Sequence, residues 1–215
     1  MNQTPVVYVV DDDPSVSRAL ARLFRVAGLR LVSFATAQEF LSHRNFESPS
    51  CLVLDVQLPD LNGLDLQKEL KDRGWALPIV FITGHGNVSM AVNAMRAGAV
   101  HFLPKPCDNR ELLAAVRQAL DRDGQQLARQ EEMGRIKRLV DSLTPREREV
   151  FLLVAAGMAN KNIAIRLSVC LQTVKLHRGH VMQKLQLDSV ADLVHLAEKA
   201  HSLLPGLEAT IWTKV

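Results

Sequence analysis

Short apolar runs that are rich in β-branched residues recur through the first half of the chain. Between them lie stretches whose apolar residues have helical spacing. The pattern predicts strands near residues 5–10, 30–34, 51–55, 79–83 and 101–104, and helices near 15–27, 36–43, 64–73, 88–97 and 109–121. Strict alternation of this kind is typical of an α/β fold, a doubly wound five-stranded parallel sheet with right-handed crossovers.

Polar residues stand at the ends of four of these apolar runs. Asp11 and Asp12 follow the first run, Asp55 ends the third, Thr83 ends the fourth and Lys105 follows the fifth. The carboxyl ends of parallel strands open on one edge of a sheet. We therefore expect three carboxylates, a hydroxyl and an amine to share one crevice.

Carboxylates placed this close together repel one another, so the crevice must take up a proton or a cation. A cation is the simpler solution, and hard oxygen ligands favour Mg²⁺ or another divalent ion such as Mn²⁺. An acyl phosphate on Asp55 is then feasible, because the metal and Lys105 would offset charge on the phosphoryl group. The alternative is that residues 11–13 merely cap the helix starting near Pro14, an interpretation that we accept for Asp13.

The same residues resemble a known family, the receiver domains of two-component response regulators. The motifs that carry the resemblance span roughly residues 5–121, and they are Asp11-Asp12, Asp55-Val56-Gln57-Leu58-Pro59-Asp60-Leu61-Asn62-Gly63, Thr83-Gly84-His85-Gly86 and Lys105-Pro106. The resemblance implies a flavodoxin-like fold and a partner histidine kinase. It also implies that Asp55 is the phosphoacceptor, that Asp12, Asp55 and the main-chain carbonyl of Gln57 bind Mg²⁺, and that Asp11 assists through water.

Further roles follow from the same resemblance. Lys105 would pair with the phosphate, Thr83 would turn its hydroxyl toward it, and Phe102 would change rotamer as the switch reader. The Lys105-Pro106 bond would be cis. Cys107 departs from the family, which usually has Phe at this position.

The charge of the chain is unevenly distributed, which favours two domains. Residues 1–121 carry 12 Lys and Arg against 13 Asp and Glu, whereas residues 122–215 carry 14 against 10. The overall charge of +3 therefore hides a basic second half. A basic half is expected where only that part of the protein meets an anionic polymer.

The cysteines and the hydropathy pattern bear on the compartment. The three cysteines are far apart and form no Cys-x-x-Cys pair, which argues against a disulfide framework. No basic stretch precedes an apolar segment at the N-terminus, and the longest apolar run, residues 150–159, is half a membrane span. These features predict a cytoplasmic protein without a membrane anchor.

A polar stretch separates the two halves. Residues 122–141 are dominated by Gln, Glu, Arg and Lys, but Leu127, Ile136, Leu139 and Val140 lie roughly at helical spacing. The stretch lacks the Pro, Gly and Ser density of a flexible tether, so we expect a partly helical linker. The alternative is a solvated helix with no regulatory role.

A compact all-helical domain is predicted for residues 142–204, followed by a tail over 205–215. Its first helix has a start signature, with Thr144 as N-cap, Pro145 at the first position and Glu147 three residues after the cap. Four helices are predicted, and they have the lengths expected of a helix-turn-helix module. They lie near residues 145–156, 160–167, 172–185 and 189–201, with turns at Gly157, Ser168 and Asp188.

The third of these helices has two different faces. At 100° per residue, its apolar face consists of Val174, Val181 and Leu185. The opposite face bears Lys, Gln, His and a bare Gly backbone, which suits the major groove of DNA, although an ordinary solvated helix surface is the alternative. Arg178 lies near the buried edge and is assigned to a phosphate or to a contact within the domain, while lysines near the helix ends would reach phosphates. The candidate DNA contacts are Lys161, Gln172, Thr173, Lys175, Leu176, Arg178, Gly179, His180, Gln183 and Lys184.

The helical half resembles the LuxR-type helix-turn-helix domains. The residues that carry this resemblance are Leu143-Thr144-Pro145-Arg146-Glu147, Asn160-Lys161-Asn162-Ile163-Ala164 and Thr173-Val174-Lys175-Leu176-His177-Arg178. With the receiver motifs, they make the chain similar to response regulators of the FixJ/NarL type. Cys170 departs from the usual Ser or Thr N-cap, which contributes about 1 kcal/mol. Gly179 costs the helix roughly 0.8–1 kcal/mol against Ala, and it indicates either close approach of DNA or a different operator preference.

The last predicted helix carries an apolar stripe formed by Val190, Leu193, Val194 and Ala197. Simple packing onto the domain explains such a stripe, whereas the resemblance suggests a share in a two-fold dimer.

The combined hypothesis is a transcription regulator that is switched by phosphorylation, and we expect it to be an activator. We expect no enzymatic activity other than catalysis of its own phosphotransfer and dephosphorylation. Its expected partners are a sensor histidine kinase, a double-stranded DNA operator, RNA polymerase and, after phosphorylation, a second copy of the chain. One alternative is a haloacid-dehalogenase-like phosphatase with its nucleophile on the first strand. Another is a receiver that acts without phosphate, with the helical domain as a protein-docking module.

Overall fold

The chain forms two compact units, Met1–Ala128 and Arg129–Val215, in a computed structural model. The structure describes residues 4–43, 45–47 and 49–203, without the side chains of residues 202 and 203. The predicted tail over 205–215 and the predicted domain end at 204 lie outside the described residues.

The first unit is the predicted doubly wound sheet. All four strand pairings are parallel, and the strand order is β2-β1-β3-β4-β5. Its elements are β1 (Val6–Val10), α1 (Pro14–Val26), β2 (Arg30–Phe34), α2 (Ala37–Ser42), β3 (Ser50–Asp55), α3 (Gly63–Asp72), β4 (Ile79–Thr83), α4 (Val88–Arg96) and β5 (His101–Pro104). These bounds agree with the predicted elements to within a residue or two.

The three central strands, β1, β3 and β4, are buried on both faces, which explains why they appear in the sequence as mainly apolar runs. In β1, Tyr8 and its alternate neighbours face one apolar cluster, while Val7 and Val9 face the other. The helices end where the sequence predicts, because Gly28, Gly74 and Gly98 follow them with left-handed φ values of 75°, 72° and 102°.

The longest element differs from the prediction. Helix α5 runs without interruption from Asn109 to Asp141, so the whole predicted linker is helical and continues the helix predicted to end near 121. Its first part places Leu112 and Val116 in the core of the first unit, and its last part places Ile136 and Val140 in the core of the second. The physical reason is that Gln, Glu, Arg, Leu and Ala all favour helix, and the two buried apolar residues lie one turn apart.

The second unit has its own apolar core, which includes the fully buried Phe151. After the end of α5 its elements are α6 (Pro145–Ala155), α7 (Asn160–Arg166), α8 (Leu171–Lys184) and α9 (Val190–Leu203). The predicted turns at Gly157 and Ser168 have left-handed φ values of 76° and 53°. In the part of the chain that the structure describes, no helix combines the length and apolar character needed to cross a bilayer.

The stripe on α9 packs mainly onto its own domain. Leu193 is fully buried in the core and Ala197 packs against it, whereas Val190 remains 41% exposed. Packing alone therefore explains the inner residues of the stripe.

Candidate functional site

The polar residues that end the strands meet at one edge of the sheet. Because β1 and β3 are neighbours in register, Asp11 and Asp55 follow paired residues and lie side by side. The Nζ of Lys105 donates to Oδ2 of Asp11 and to Oδ2 of Asp55, at 2.6 Å in each case. Both carboxylates are nearly excluded from solvent. The predicted crevice is thus formed, with the amine between two acids.

The acidic residues of this crevice have the chemistry of a cation site. Among the described residues, Asp11, Asp12 and Asp55 are the only such cluster, with carboxylate oxygens within 4.8 Å of one another. Burial raises the pKa of Asp11 above its usual value, although the hydrogen bond from Lys105 opposes this shift. Burial would lower the pKa of Lys105, but its hydrogen bonds to Asp11 and Asp55 outweigh that effect and raise the pKa. The amine therefore stays charged beside the acids.

The loop after β3 holds Asp55 in place. The main-chain N–H of Gln57 donates to Oδ1 of Asp55 at 3.0 Å. Gln57 is exposed, and this hydrogen bond keeps its backbone beside the acidic cluster. The N–H of Gly63 donates to the carbonyl of Val56 at 2.8 Å and closes the loop. A Cβ at Gly63 would lie 2.3 Å from the main-chain oxygen of Asp55, so only glycine fits. In the same loop, Asp60 accepts from two main-chain N–H groups at the start of α2, a role that the sequence analysis missed.

The predicted switch residues lie on neighbouring strands, Thr83 at the end of β4 and Phe102 in β5. Thr83 is fully buried, and its Oγ1 accepts from the N–H of His85 at 3.3 Å. Phe102 is half-buried, with its ring centroid 6.0 Å from that of Phe81. A Cβ at Gly86 would lie 2.8 Å from both the Phe102 ring and the Thr83 methyl, so this glycine lets the three residues approach. The Lys105-Pro106 bond is cis, as the resemblance implies.

The second candidate site is the exposed face of α8. Val174, Val181 and Leu185 are buried as predicted. The solvent-facing side of α8 carries Gln172, Lys175, Leu176, Gly179, His180, Gln183 and Lys184, and Lys161 is exposed on α7. The sequence pattern therefore separated the two faces of this helix correctly.

Three of the candidate DNA contacts have partners on other helices of their own domain. Arg178 donates from Nη1 to Oδ1 of Asn160 at 2.9 Å, which is the intradomain contact that the sequence left open. Lys184 was predicted to reach a phosphate, but its Nζ lies 2.6 Å from Oε2 of Glu147. His180 has Nδ1 3.7 Å from Oε1 of the same residue. Lys184 therefore has a buried carboxylate on a neighbouring helix as its partner, and its contact with a phosphate stays a prediction.

The N-terminus of α8 has the unusual cap that the sequence predicts. Cys170 stands at the N-cap and makes no side-chain capping hydrogen bond to the backbone. Its sulfur lies 3.0 Å from Oγ1 of Thr173, and this contact lowers the pKa of the thiol below its usual value. Thr173, another candidate DNA contact, is therefore engaged within its own helix.

Sequence profiles of two families match the chain. One is described as the response regulator receiver domain and matches residues 7–117. The other is described as bacterial regulatory proteins of the luxR family and matches residues 141–197. The first covers the unit with the acidic crevice, and the second covers α6 to α8 and most of α9.

Similar proteins share both parts. Nodulation protein W of Bradyrhizobium diazoefficiens is 47% identical over 193 residues, which cover 90% of this chain and 85% of that protein. Transcriptional regulatory protein FixJ of Azorhizobium caulinodans is 37% identical over 210 residues, which cover 98% of this chain and 99% of that protein. Among solved structures, the response regulator StyR is 45% identical with a TM-score of 0.85, covering 92% of this chain and all of that chain.

Proposed function

The chain belongs to the two-component response regulators that join a receiver domain to a LuxR-family DNA-binding domain, and we propose that phosphorylation of Asp55 controls its binding to DNA. The observation that carries this proposal is the position of Lys105, 2.6 Å from Oδ2 of Asp55 and 2.6 Å from Oδ2 of Asp11. A charged amine at that distance is placed to compensate charge on a phosphoryl group attached to Asp55.

The chemistry of the proposed step is a phosphoryl transfer. A phosphohistidine of a sensor kinase loses its P–N bond, a carboxylate oxygen of Asp55 forms the new P–O bond, and the phosphoryl group carries its negative charge into the crevice. Lys105 then has a new anionic partner beside Asp55. Asp12, Asp55 and the carbonyl of Gln57, with Asp11 through water, would hold Mg²⁺ or Mn²⁺, and the cation would neutralise further negative charge.

Transfer to Asp55 is tested by intact mass. The full chain is incubated with a small acyl-phosphate donor and Mg²⁺, and we expect it to gain the mass of one phosphoryl group. Asp55→Asn should show no gain. Asp60→Asn is the matched control, because Asp60 lies in the same loop, but its carboxylate caps α2 instead of facing Lys105. A gain that persists in Asp55→Asn would contradict the proposal, and turnover of small phosphoesters would favour a phosphatase.

The DNA-binding surface is proposed to be the exposed face of α8 with Lys161 of α7. On that face Lys175 and Gln183 supply donors to base edges and phosphates, and Leu176 supplies an apolar group that suits a thymine methyl. Gly179 has nothing within 4 Å of an added Cβ, so the space beside its backbone is open to DNA.

Phosphorylation is proposed to act through a homodimer. Helix α4 exposes apolar side chains one or two turns apart, with Val88 81%, Val92 41% and Met95 47% exposed. A second receiver covering this stripe would bury apolar surface that a monomer leaves in water. The paired helical domains would then meet two half-sites of an operator, and RNA polymerase is the expected further partner.

Salt dependence of duplex binding tests the DNA surface. A phosphate contact contributes about 0.9 to the slope of log K against log salt, so Lys161→Gln should give a slope shallower by about that amount. Lys68→Gln, an exposed lysine on α3 in the receiver, should leave the slope unchanged. Absence of salt-dependent duplex binding by the unaltered chain would favour the protein-docking alternative.

A further inference from the structure

A buried carboxylate joins the start of α6 to the exposed side of α8. The side chain of Glu147 is only 5% exposed. Its Oε2 lies 2.6 Å from Nζ of Lys184, and its Oε1 lies 3.7 Å from Nδ1 of His180. Lys184 also lies 3.4 Å from the main-chain oxygen of Ser142. Two residues of α8, one turn apart, therefore meet one acid of a different helix.

The position of this acid is itself fixed. Glu147 occupies the N3 position of a capping box, in which the N–H of Thr144 donates to Oε2 at 2.9 Å and the Thr144 hydroxyl lies 3.0 Å from the same oxygen. The hydrogen bond from Lys184, with those of Thr144, lowers the pKa of Glu147 to about 2. The carboxylate is therefore charged at neutral pH and held at a constant place on α6.

We propose that the Glu147–Lys184 pair is a positioning device that sets the rotation and axial register of α8, so that Lys184 serves DNA binding through Glu147 and not through a phosphate. The apolar contacts of Val174, Val181 and Leu185 hold α8 against the domain, but apolar contacts are non-directional. A charge-assisted hydrogen bond to a fixed acceptor is directional, and it selects one orientation of the exposed face. The proposal rests on that face being the DNA-binding surface.

The salt slope separates positioning from direct contact. A lysine that neutralises a phosphate releases counterions, and its loss makes the slope shallower by about 0.9. A lysine that acts through Glu147 leaves the number of neutralised phosphates unchanged. Its loss therefore lowers affinity at every salt concentration while the slope stays the same.

The experiment uses the full chain and a duplex that this chain selects from a random pool, with affinity measured by fluorescence anisotropy across a salt series. Lys184→Gln should bind about tenfold more weakly with the slope of the unaltered chain. Lys184→Arg should regain most of the affinity, because its guanidinium can still reach the acid. Glu147→Gln keeps a capping-box residue and should match Lys184→Gln, and the double variant should be no weaker than either single variant.

Lys161→Gln is the matched control, an exposed lysine whose loss should make the slope shallower. A shallower slope in Lys184→Gln, additive losses in the double variant, or unchanged affinity in both single variants would overturn the proposal. If the control leaves the slope unchanged, the proposed DNA surface fails instead.

Amide hydrogen exchange in the free protein tests the positioning role without DNA. Lys184→Gln should raise exchange in the second half of α8, from about Gly179 to Lys184, while α7 and α9 keep the exchange of the unaltered chain. Unchanged exchange along α8 would overturn the proposal even if the chain bound no duplex.

Discussion

Gly63 stabilises the loop after β3 because it has no side chain. A methyl group there would have to lie 2.3 Å from the main-chain oxygen of Asp55 and 3.0 Å from Cα of Val56, and both neighbours are backbone. We expect Gly63→Ala to lower the free energy of unfolding of the receiver by about 1–3 kcal/mol or more, because backbone must move to relieve the contact. Urea denaturation of the full chain measures this loss.

Gly84→Ala is the control for that measurement. Gly84 lies in the loop after β4, at the same edge of the sheet, and an added Cβ would have nothing within 4 Å. We expect its unfolding midpoint to stay close to that of the unaltered chain. Equal losses in the two variants would mean that steric fit at Gly63 is not what stabilises the loop.

The residues of the crevice could be predicted because each stands at the end of an apolar run. Parallel pairing brings such ends together whatever the details of packing, so Asp11, Asp55 and Lys105 were found from order and spacing alone. The partner of Lys184 could not be predicted in this way. Periodicity assigns a residue to a helix face, but it does not show which atom of another helix lies opposite. That depends on how α6 and α8 cross, and the two residues are 37 positions apart in the chain.

At the scale of elements, α5 carries two glycines between its two buried ends. Gly124 and Gly134 lie inside the helix, where each costs about 1 kcal/mol relative to Ala. An added Cβ at Gly124 would meet nothing within 4 Å, so Gly124→Ala should stabilise this stretch. We expect amide exchange over residues 121–130 to slow by up to about fivefold, measured by mass spectrometry of peptic fragments.

Gly28→Ala is the control for Gly124→Ala, because it makes the same substitution outside a helix interior. Gly28 ends α1 with a φ of 75°, a conformation that alanine adopts only at a cost. We expect this variant to be destabilised and the exchange of residues 121–130 to be unchanged. Faster amide exchange over residues 121–130 in Gly124→Ala would contradict the expected stabilisation, and it would show that the glycine is needed for a local contact.

The bounds of the elements followed from local signals, whereas the continuity of α5 did not. Asp13 and Thr144 cap the starts of helices with their side chains, and the glycines after α1, α3 and α4 end helices through their backbone conformation, so the sequence predicts these bounds. No such signal marks the middle of α5, where polar residues suit a helix or a solvated linker equally well. Burial of Ile136 and Val140 in the helical unit decides for helix, and burial is a tertiary effect.

At the scale of the whole molecule, the two units have separate apolar cores, so a ligand of one unit should stabilise that unit alone. The cation site proposed above lies entirely in the receiver. We expect Mg²⁺ at about 100 times its dissociation constant to stabilise the receiver by about 2.7 kcal/mol and to leave the helical unit unaffected. Differential scanning calorimetry should then show two transitions, of which Mg²⁺ raises only one.

Two variants identify the transition that responds to the metal. Gly63→Ala should lower it, because that residue closes the loop after β3, and Asp12→Asn should remove its response to Mg²⁺ without the fold being lost, because Asp12 is exposed. Addition of a chelator should reverse the shift in the unaltered chain. A single transition that moves as a whole would mean that the two cores unfold as one cooperative unit, and a shift that survives Asp12→Asn would place the cation elsewhere in the protein.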